Sequence, residues 1–294
     1  VTGMTVTQVM GCGTQKGHVN YYRGIKVEEV AKAAGYSYYH LNRQFSAVLG
    51  ESVGSYIKKR RLADAAKKLL YSDQKIIRIA MDHGFESPEA FSRAFKAVYR
   101  VSPQTYRKNR LDAFIGAKDR LDGGLLNHLA CNVTVHPRIV ELPEILVAGL
   151  RGETTLRDNR LKELWERAFA SFPQIPGRIP GGRGFGICEA CNDNVIYTMN
   201  EDVTFTEVAG IEVSSFDGVP EGVVTKVLKA GRYAVFTHRG SLSMLRRTFD
   251  YIWGTWFLTT REEVDGREDF ELYDERFLGY DHPDSEVDLY IPVK

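Results

Sequence analysis

The sequence predicts an all-α domain with two helix-turn-helix motifs, followed by an α+β domain with a duplicated β-α-β-β unit, an antiparallel sheet and two helices. Two internal repeats and an uneven charge distribution support this prediction. The repeats place the first domain at residues 26–112 and the second at residues 133–294, with a linker at residues 113–132 and an irregular leader at residues 1–25. A chain of 294 residues with 43% hydrophobic content is long enough for two cores.

Two stretches of the first domain follow the same pattern. GYSYYHLNRQFSAVLG begins at Gly35 and GFESPEAFSRAFKAVYR begins at Gly84, and Arg43 corresponds to Arg93 at an offset of 50 residues. Each stretch continues a short apolar helix through a glycine turn into a second helix, with a serine as the predicted N-cap. This arrangement is a helix-turn-helix.

The second helix of each motif has a predicted apolar inner face and a polar outer face. Leu41, Phe45 and Val48 recur at helical spacing and are therefore expected to face inward. The outer faces carry Tyr39, Asn42, Arg43 and Ser46 in the first motif, and Glu89, Ser92, Arg93 and Lys96 in the second. Arginine pairs bidentately with guanine, and asparagine with adenine, in the major groove of DNA. The outer faces therefore predict base reading by both helices.

The segment between the motifs, SVGSYIKKRRLADAAKKLLYS, reads as one long helix with a buried apolar stripe. A rigid helix between two reading helices would fix their separation. Consecutive major grooves on one face of DNA lie about 34 Å apart. The duplication therefore predicts that one chain reads two adjacent major grooves of double-stranded DNA.

The charge distribution supports a polyanionic partner for the first domain only. Residues 1–112 contain 19 Lys and Arg against 9 Asp and Glu, a net charge of +10, whereas the remaining residues contain 20 against 29, a net charge of −9. A basic half joined to an acidic half indicates that one half meets nucleic acid. The alternative interpretation is a chance imbalance on solvated faces.

Residues 26–110 resemble the DNA-binding domain of the AraC/XylS family of transcription regulators. The matching stretches are EEVAKAAGYSYYHLNRQF, YIKKRRLADAAKKLL, IIRIAMDHGFESPEAFSRAFK and SPQTYRKNR. The resemblance implies base-reading positions at Tyr39, Asn42, Arg43, Glu89, Ala90 and Arg93. Two features depart from the family pattern: GCGTQKGHVNYYRG is a poor amphipathic first helix, and Arg100 replaces the glycine that ends the second recognition helix in many relatives.

The second domain contains a fainter repeat at an offset of 88 residues. ILVAGLRG, from Ile145, matches YAVFTHRG, from Tyr233, and Trp165 in the following helix matches Trp253. Two strand-like runs follow each helix: GFGICEA and FTEVAGIEV in the first copy, and DFELYDE and EVDLYIPV in the second. Strand, helix, strand, strand, repeated once, predicts an antiparallel sheet with the helices on one face.

Residues 133–294 resemble the GyrI-like effector-binding domain. The resemblance rests on the doubled pattern, the DFELY strand and the closing VDLYIPV. The resemblance implies an acidic, ligand-contacting residue at Glu271, and hence an amphipathic, cationic small-molecule effector. Candidate ligand-binding residues are Glu271, Tyr273, Tyr290, Trp253, Trp256, Trp165 and Phe185. Apolar walls with a few polar groups are typical of small-molecule pockets. For the helix tryptophans, an ordinary core position is the alternative.

Strand alternation predicts the direction of Glu271. In DFELY it places Glu271 and Tyr273 on one face and Phe270 and Leu272 on the other. With the apolar pair packed against the helices, Glu271 would point into the groove of the sheet, and Tyr290 would alternate to the same side as Glu271. A solvated strand glutamate is the alternative interpretation.

The combined interpretation is a sequence-specific transcription regulator, an activator, that responds to a small molecule and is not an enzyme. One alternative is a hydrolase in which Glu271 with Tyr273 or Tyr290 activates water. A nucleophile–base–orienter triad is missing from the sequence, and His238 is interpreted as an ordinary strand histidine. A further alternative is that the acidic half only docks protein partners such as RNA polymerase.

No cofactor or metal is predicted. Cys188 and Cys191 form one C-x-x-C without the second pair that a zinc site requires, and they are interpreted as ordinary thiols. The cysteine usage and the lack of a signal-like start predict a cytoplasmic protein. Uninterrupted apolar runs stay well short of the roughly 20 residues of a membrane span, so no membrane association is predicted.

Overall fold

The computed structural model describes residues 26–33, 35–108, 123–155, 157–189 and 204–294. The chain divides into a helical unit, which holds the described residues up to Cys131 together with Arg247–Thr260, and a sheet unit, which holds the other described residues. The predicted leader, the family's first helix and the start of the predicted linker all lie outside the described residues.

The helical unit begins with the two predicted helix-turn-helix motifs. Its helices are α1 (Val27–Ala33), α2 (Tyr38–Leu49), α3 (Val53–Tyr71), α4 (Ile76–Asp82), α5 (Pro88–Tyr99) and α6 (Pro103–Lys108). The helices α1 and α2 form the first motif, α4 and α5 form the second, and the 19-residue α3 connects them. The all-α double motif predicted from the repeat is therefore confirmed.

Serine caps begin the equivalent helices of both motifs. The hydroxyl of Ser37 accepts a hydrogen bond from the backbone N–H of His40 (3.2 Å), and Ser87 accepts one from Ala90 (3.1 Å). A cap of this kind satisfies one of the backbone N–H groups that a helix start leaves without a partner. The same local sequence thus starts both second helices.

The core of the second motif is aromatic. Phe91, Phe95, Tyr99 and Tyr106 are buried with residues of α3 and α4, and Phe95 stacks on Tyr99 with ring centroids 4.3 Å apart. Burial of each aromatic side chain removes a large apolar area from water. This packing turns the polar side of α5 outward.

Two further helices belong to the helical unit. The helix α7 (Gly123–Cys131) occupies part of the predicted linker, and α9 (Leu245–Gly254) belongs to this unit from Arg247 onward. The buried side chains of His128 and Thr248 form a hydrogen bond of 2.9 Å between α7 and α9. The predicted linker is therefore in part an ordered helix.

The sheet unit contains eight strands and the helix α8 (Leu161–Ser171). The strands are β1 (Arg138–Leu142), β2 (Ile145–Thr154), β3 (Gly184–Glu189), β4 (Phe205–Glu212), β5 (Val224–Leu228), β6 (Gly231–Arg239), β7 (Phe270–Tyr273) and β8 (Glu286–Pro292). Their order is β1-β6-β8-β7-β3-β4-β2-β5, and every pairing is antiparallel. The duplicated antiparallel unit is confirmed, with the short strands β1 and β5 as additions to it.

The strand order shows how the duplication builds the sheet. Exchanging β1–β4 with β5–β8 reverses the order and returns the same sheet, so the two copies meet at the central pair β3 and β7. Each short added strand pairs with the long strand of the other copy, β1 with β6 and β5 with β2. The sheet therefore needs both copies to be complete.

The two faces of the sheet carry different apolar clusters. On one face, Leu164 and Ala168 of α8 pack against Ala148 and Ala209 of the strands β2 and β4. On the other face, an apolar cluster contains Ile145, Val147, Phe185, Ile187, Val208, Leu228, Tyr233, Phe270 and Leu272. The face covered by α8 is called the helix face below.

No helix within the described ranges combines the length and the apolar character that crossing a membrane requires.

Candidate functional site

The outer faces of α2 and α5 present the predicted DNA-reading side chains. Arg43 and Arg93 are exposed at equivalent positions, and Tyr39 is 83% exposed. Glu89 and Lys96 are also exposed, whereas Ala90 and Ser92 are half-buried. The prediction that the two arginines point outward is confirmed. Their contact with DNA stays a prediction.

Asn42 is a correction to the predicted outward stripe. It is half-buried, its side-chain amide donates to the Tyr38 carbonyl (3.2 Å), and its side-chain oxygen accepts from the backbone N–H of Val53 (3.2 Å). Val53 is the first residue of α3, where a backbone N–H lacks a partner within its own helix. Asn42 therefore holds α2 against the start of α3.

The second motif explains this difference between the copies. Pro103 occupies the position of Val53, 50 residues further on, and Ser92 occupies that of Asn42. Proline has no backbone N–H, so the second motif needs no acceptor there. An asparagine is thus required only where the next helix begins with a free donor.

The candidate site of the sheet unit lies at the centre of the sheet, on the helix face. Glu271 and Tyr273 of β7 share this face with Trp165 of α8, whose ring centroid lies 4.6 Å from that of Tyr273. The Tyr273 hydroxyl donates a hydrogen bond to Glu271 Oε2. The predicted alternation of Glu271 and Tyr273 is confirmed, and it brings both next to Trp165.

The direction of the apolar pair is the reverse of the prediction. Phe270 and Leu272 belong to the cluster on the face away from α8, so Glu271 and not the apolar pair faces the helix. The strand β7 lies at the centre of a sheet that is buried on both faces, and either face can accept the apolar pair. Glu271 is only 9% exposed as a result, which excludes the solvated alternative.

Tyr290 and Phe185 lie on the opposite face from Glu271, so the prediction that Tyr290 shares its side is wrong. The strand register pairs Tyr290 with Phe270, and their rings stack at 4.7 Å. Phe185 is paired with Leu272. Residues paired across an antiparallel ladder share a face.

Trp253 and Trp256 belong to the helical unit, where Trp253 stacks on Phe257 with ring centroids 5.0 Å apart. The site described here contains neither of them. Of the predicted ligand-binding residues, the sheet unit brings Glu271, Tyr273 and Trp165 together.

Glu207 of β4 is a second acidic residue of the site, and the sequence interpretation missed it. It is 4% exposed, and the Trp165 indole N–H donates a hydrogen bond to its carboxylate. It lies in FTEVAGIEV, where it alternates with Ala209 and Ile211 onto the helix face. An acid at an inward position of an apolar strand is the signal that could have revealed it.

The two carboxylates approach each other over Gly186, which has no side chain to fill the space between them. A Cβ atom at Gly186 would lie 3.1 Å from Glu207 Oε1, 3.2 Å from Glu271 Oε2 and 3.5 Å from the Trp165 ring. At Gly184, in contrast, a Cβ atom would make an ordinary van der Waals contact with the same ring, at 3.5 Å. Gly186 is thus the glycine of β3 that leaves room over the strand for the two acids.

Burial dominates the electrostatics of these acids. It raises the pKa of Glu271 to about 7, against the opposing effect of the Tyr273 hydrogen bond. It also raises the pKa of Glu207, and the nearby Glu271 and Asp269 raise it further. Asp269, just before β7, has a pKa raised by burial to about 6. A site of this kind stabilises a proton or a cation between its carboxylates.

His238 lies fully buried in β6. Its Nε2 atom lies 3.2 Å from the Ser241 carbonyl, and burial lowers its pKa. The interpretation as an ordinary strand histidine is in agreement with this position. Cys188 is half-buried on β3, whereas Cys191 lies outside the described residues. Within the described ranges, no group of three or more His, Cys, Asp or Glu is arranged to hold a metal ion.

These features define a class of protein. A unit with two equivalent exposed recognition helices is suited to DNA, and a separate sheet unit with a buried acidic site is suited to a small effector. The class is a DNA-binding regulator with an effector-binding domain.

Comparison with known proteins supports the same class. Residues 30–109 match a helix-turn-helix domain family, and residues 138–293 match the Cass2 family of integron-associated effector binding proteins. The transcriptional regulator BrlR of Pseudomonas aeruginosa is 30% identical over 257 residues, which cover 83% of this chain and 92% of BrlR. The chain belongs to the AraC family of transcription regulators that carry a C-terminal GyrI-like effector-binding domain.

Two other proteins are similar. The transcriptional regulator Rob of Salmonella typhimurium is 26% identical over 228 residues, which cover 76% of this chain and 75% of Rob. An integron cassette protein from the mobile metagenome of Vibrio cholerae, known as a crystal structure, is 16% identical and covers 56% of this chain and 97% of its own, with a TM-score of 0.40.

Proposed function

We propose that this regulator is an activator that reads two adjacent major grooves of DNA and responds to an amphipathic organic cation held at Glu271. The carrying observation is a buried carboxylate beside an indole ring, with no ion pair to Glu271 in the described part of the chain. A buried charge is costly unless it is paired. An organic cation would supply the missing charge and cover the aromatic surface.

The sensing role is favoured over catalysis. The similar proteins BrlR and Rob are transcription regulators, and this chain shares most of its length with both. In the proposal, Tyr273 orients Glu271 through its hydrogen bond, Trp165 contacts the ligand's apolar part, and activation proceeds by contact with RNA polymerase. The hydrolase alternative assigns the same Glu271 to water activation and predicts turnover that the sensing role does not.

The first test compares a cation with a neutral analogue. We expect 2-naphthylmethylammonium to bind at least about tenfold more tightly than 2-naphthylmethanol, because charge-assisted hydrogen bonds are stronger than neutral ones. Glu271→Gln should bring the two affinities within about threefold. Calorimetric titration of the full chain measures this, with Glu212→Gln as the control, since the Glu212 carboxylate on the same sheet is already paired with Arg183. A charge preference that survives in Glu271→Gln would refute the proposal.

The same preference should depend on pH. The pKa of Glu271 is raised to about 7, so cation affinity should increase as the pH rises from about 6 to about 8 and Glu271 ionises. The raised pKa means that the folded protein binds the Glu271 proton more tightly than the unfolded chain does. The contribution of Glu271 to the free energy of unfolding is therefore present at low pH and is lost as the pH rises through about 7. Four neighbouring groups interact electrostatically with the Glu271 carboxyl: Glu207, Asp269, Tyr273 and Tyr280. Replacing any one of these four should shift the pH dependence of cation affinity without abolishing it, whereas Glu271→Gln should abolish it.

A further inference from the structure

Glu207 has an oxygen that its surroundings do not satisfy. Its Oε1 atom is buried and has no hydrogen-bond partner among the described residues, although Trp165 donates to the carboxylate. An unsatisfied buried acceptor carries the full cost of its lost hydration, and the cost is larger for a charged group. An apolar residue at this strand position would avoid that cost, so the acid requires an explanation from a ligand.

The unsatisfied oxygen points to the same place as Glu271. Both Glu207 Oε1 and Glu271 Oε2 lie within 3.2 Å of the Cβ position of Gly186. The register places Gly186 directly opposite Glu271, and Gly186 is bordered on its other side by β4, which carries Glu207. The two acids therefore converge over a glycine from neighbouring strands.

We propose that Glu207 and Glu271 together hold one cationic group that carries at least two N–H bonds, such as a primary ammonium or an amidinium. This inference rests on the proposed function and narrows its ligand class. Two acceptors on opposite sides of one space are satisfied together by a group with two donors. A quaternary ammonium offers charge without N–H bonds, so it leaves the Glu207 oxygen without a hydrogen bond.

Gly186 sets the room for this group. A methyl at this position would be in close contact with both carboxylate oxygens, at 3.1 and 3.2 Å, and would occupy the space between them. The glycine backbone here does not lie in the left-handed region. An alanine at 186 is therefore compatible with the strand, and it tests the space independently of the acids.

The experiment compares 2-naphthylmethylammonium with its N,N,N-trimethyl derivative by calorimetric titration of the full chain, with 2-naphthylmethanol as the neutral reference. We expect the primary ammonium to bind about tenfold more tightly than the trimethyl derivative. Glu207→Gln should reduce this ratio to about threefold or less, and Gly186→Ala should weaken the primary ammonium more than the neutral reference. Glu212→Gln should keep the wild-type ratio.

The outcomes separate this inference from the proposed function. Equal binding of both cations, each tighter than the neutral reference, would overturn the two-acid inference and leave the cation proposal standing. Binding of all three compounds with one affinity would overturn the proposed function itself. A wild-type ratio in both Glu207→Gln and Gly186→Ala would show that Glu271 acts without its neighbour.

Discussion

Neighbouring residues in the first recognition helix have different tasks. The Asn42 side chain is held by a hydrogen bond to the start of α3. Arg43, one position later, is exposed. Both residue types are suited to base reading, but a side chain whose amide is already bonded at both ends has no bidentate pair to offer. We therefore expect base recognition in this motif to come from the exposed Arg43 and Tyr39.

Replacement of Arg43 and replacement of Asn42 should give different defects. Arg43→Ala should weaken binding to a preferred duplex, selected from random DNA, by about 1–3 kcal/mol and hardly change binding to random duplex. Asn42→Ala should lower the free energy of unfolding by about 1 kcal/mol, because the Val53 N–H loses its acceptor. Fluorescence anisotropy and urea unfolding measure the two effects, with Arg78→Ala on the exposed face of α4 as the charge control. If Arg43→Ala weakened binding to both duplexes equally, Arg43 would contact only the phosphates.

The repeated elements end in the same way with different residues. Gly50 after α2 and Arg100 after α5 both adopt the left-handed conformation, with φ of 68° and 60°. Each backbone N–H caps its helix by donating to a carbonyl four residues earlier, Ser46 and Lys96. Glycine accepts this conformation without strain, whereas a side chain makes it costly. The second motif therefore keeps the turn at an energetic cost.

Substitutions at the two turns should reveal this cost. Gly50→Ala should lower the free energy of unfolding by about 1–2 kcal/mol, since it adds left-handed strain and a 3.3 Å contact to the Tyr251 hydroxyl. Arg100→Gly should leave stability equal or raise it by up to about 1 kcal/mol, because relief of strain exceeds the added chain entropy. Gly54→Ala, within α3, is the matched control and should stabilise. Urea unfolding followed by circular dichroism measures these changes. An unchanged free energy of unfolding in Gly50→Ala would contradict a cost of the left-handed conformation at this turn.

Duplication organises both halves of the molecule. In the helical unit, α3 connects two equivalent motifs, and its 19 residues span about 28 Å. In the sheet unit, the two copies meet where Gly186 of β3 pairs with Glu271 of β7, so one copy supplies an acid and the other the room beside it. Each half thus uses its repeat to place two elements at a defined spacing.

One chain should cover two half-sites about 10 bp apart. Inserting about 5 bp between the half-sites turns the second one to the opposite face of the duplex, so affinity should fall to that of a single half-site. The same insertion placed outside both half-sites should have no effect. Gel mobility shifts with the three duplexes measure this, and unchanged affinity for the internal insertion would exclude two-groove reading by one chain.

Local interactions made much of this protein predictable from its sequence. The caps at Ser37 and Ser87 depend on contacts three residues away, and the inward faces of α2 and α5 follow from helical period. Alternation along β7 similarly fixed Glu271 and Tyr273 on a common side. These features depend only on neighbours along the chain, and the first repeat showed the caps and the inward helix faces twice.

Only the tertiary structure decided which side of each strand meets which layer. Alternation fixes relative sides within a strand, but the absolute side depends on the helix that covers the sheet and on the register with the next strand. For this reason Glu271 faces α8, Tyr290 and Phe185 lie on the other face, and Glu207 joins the site from a strand 64 residues earlier in the sequence. Asn42 likewise depends on a hydrogen bond to a helix that begins 11 residues later. Such contacts join residues that local periodicity does not relate.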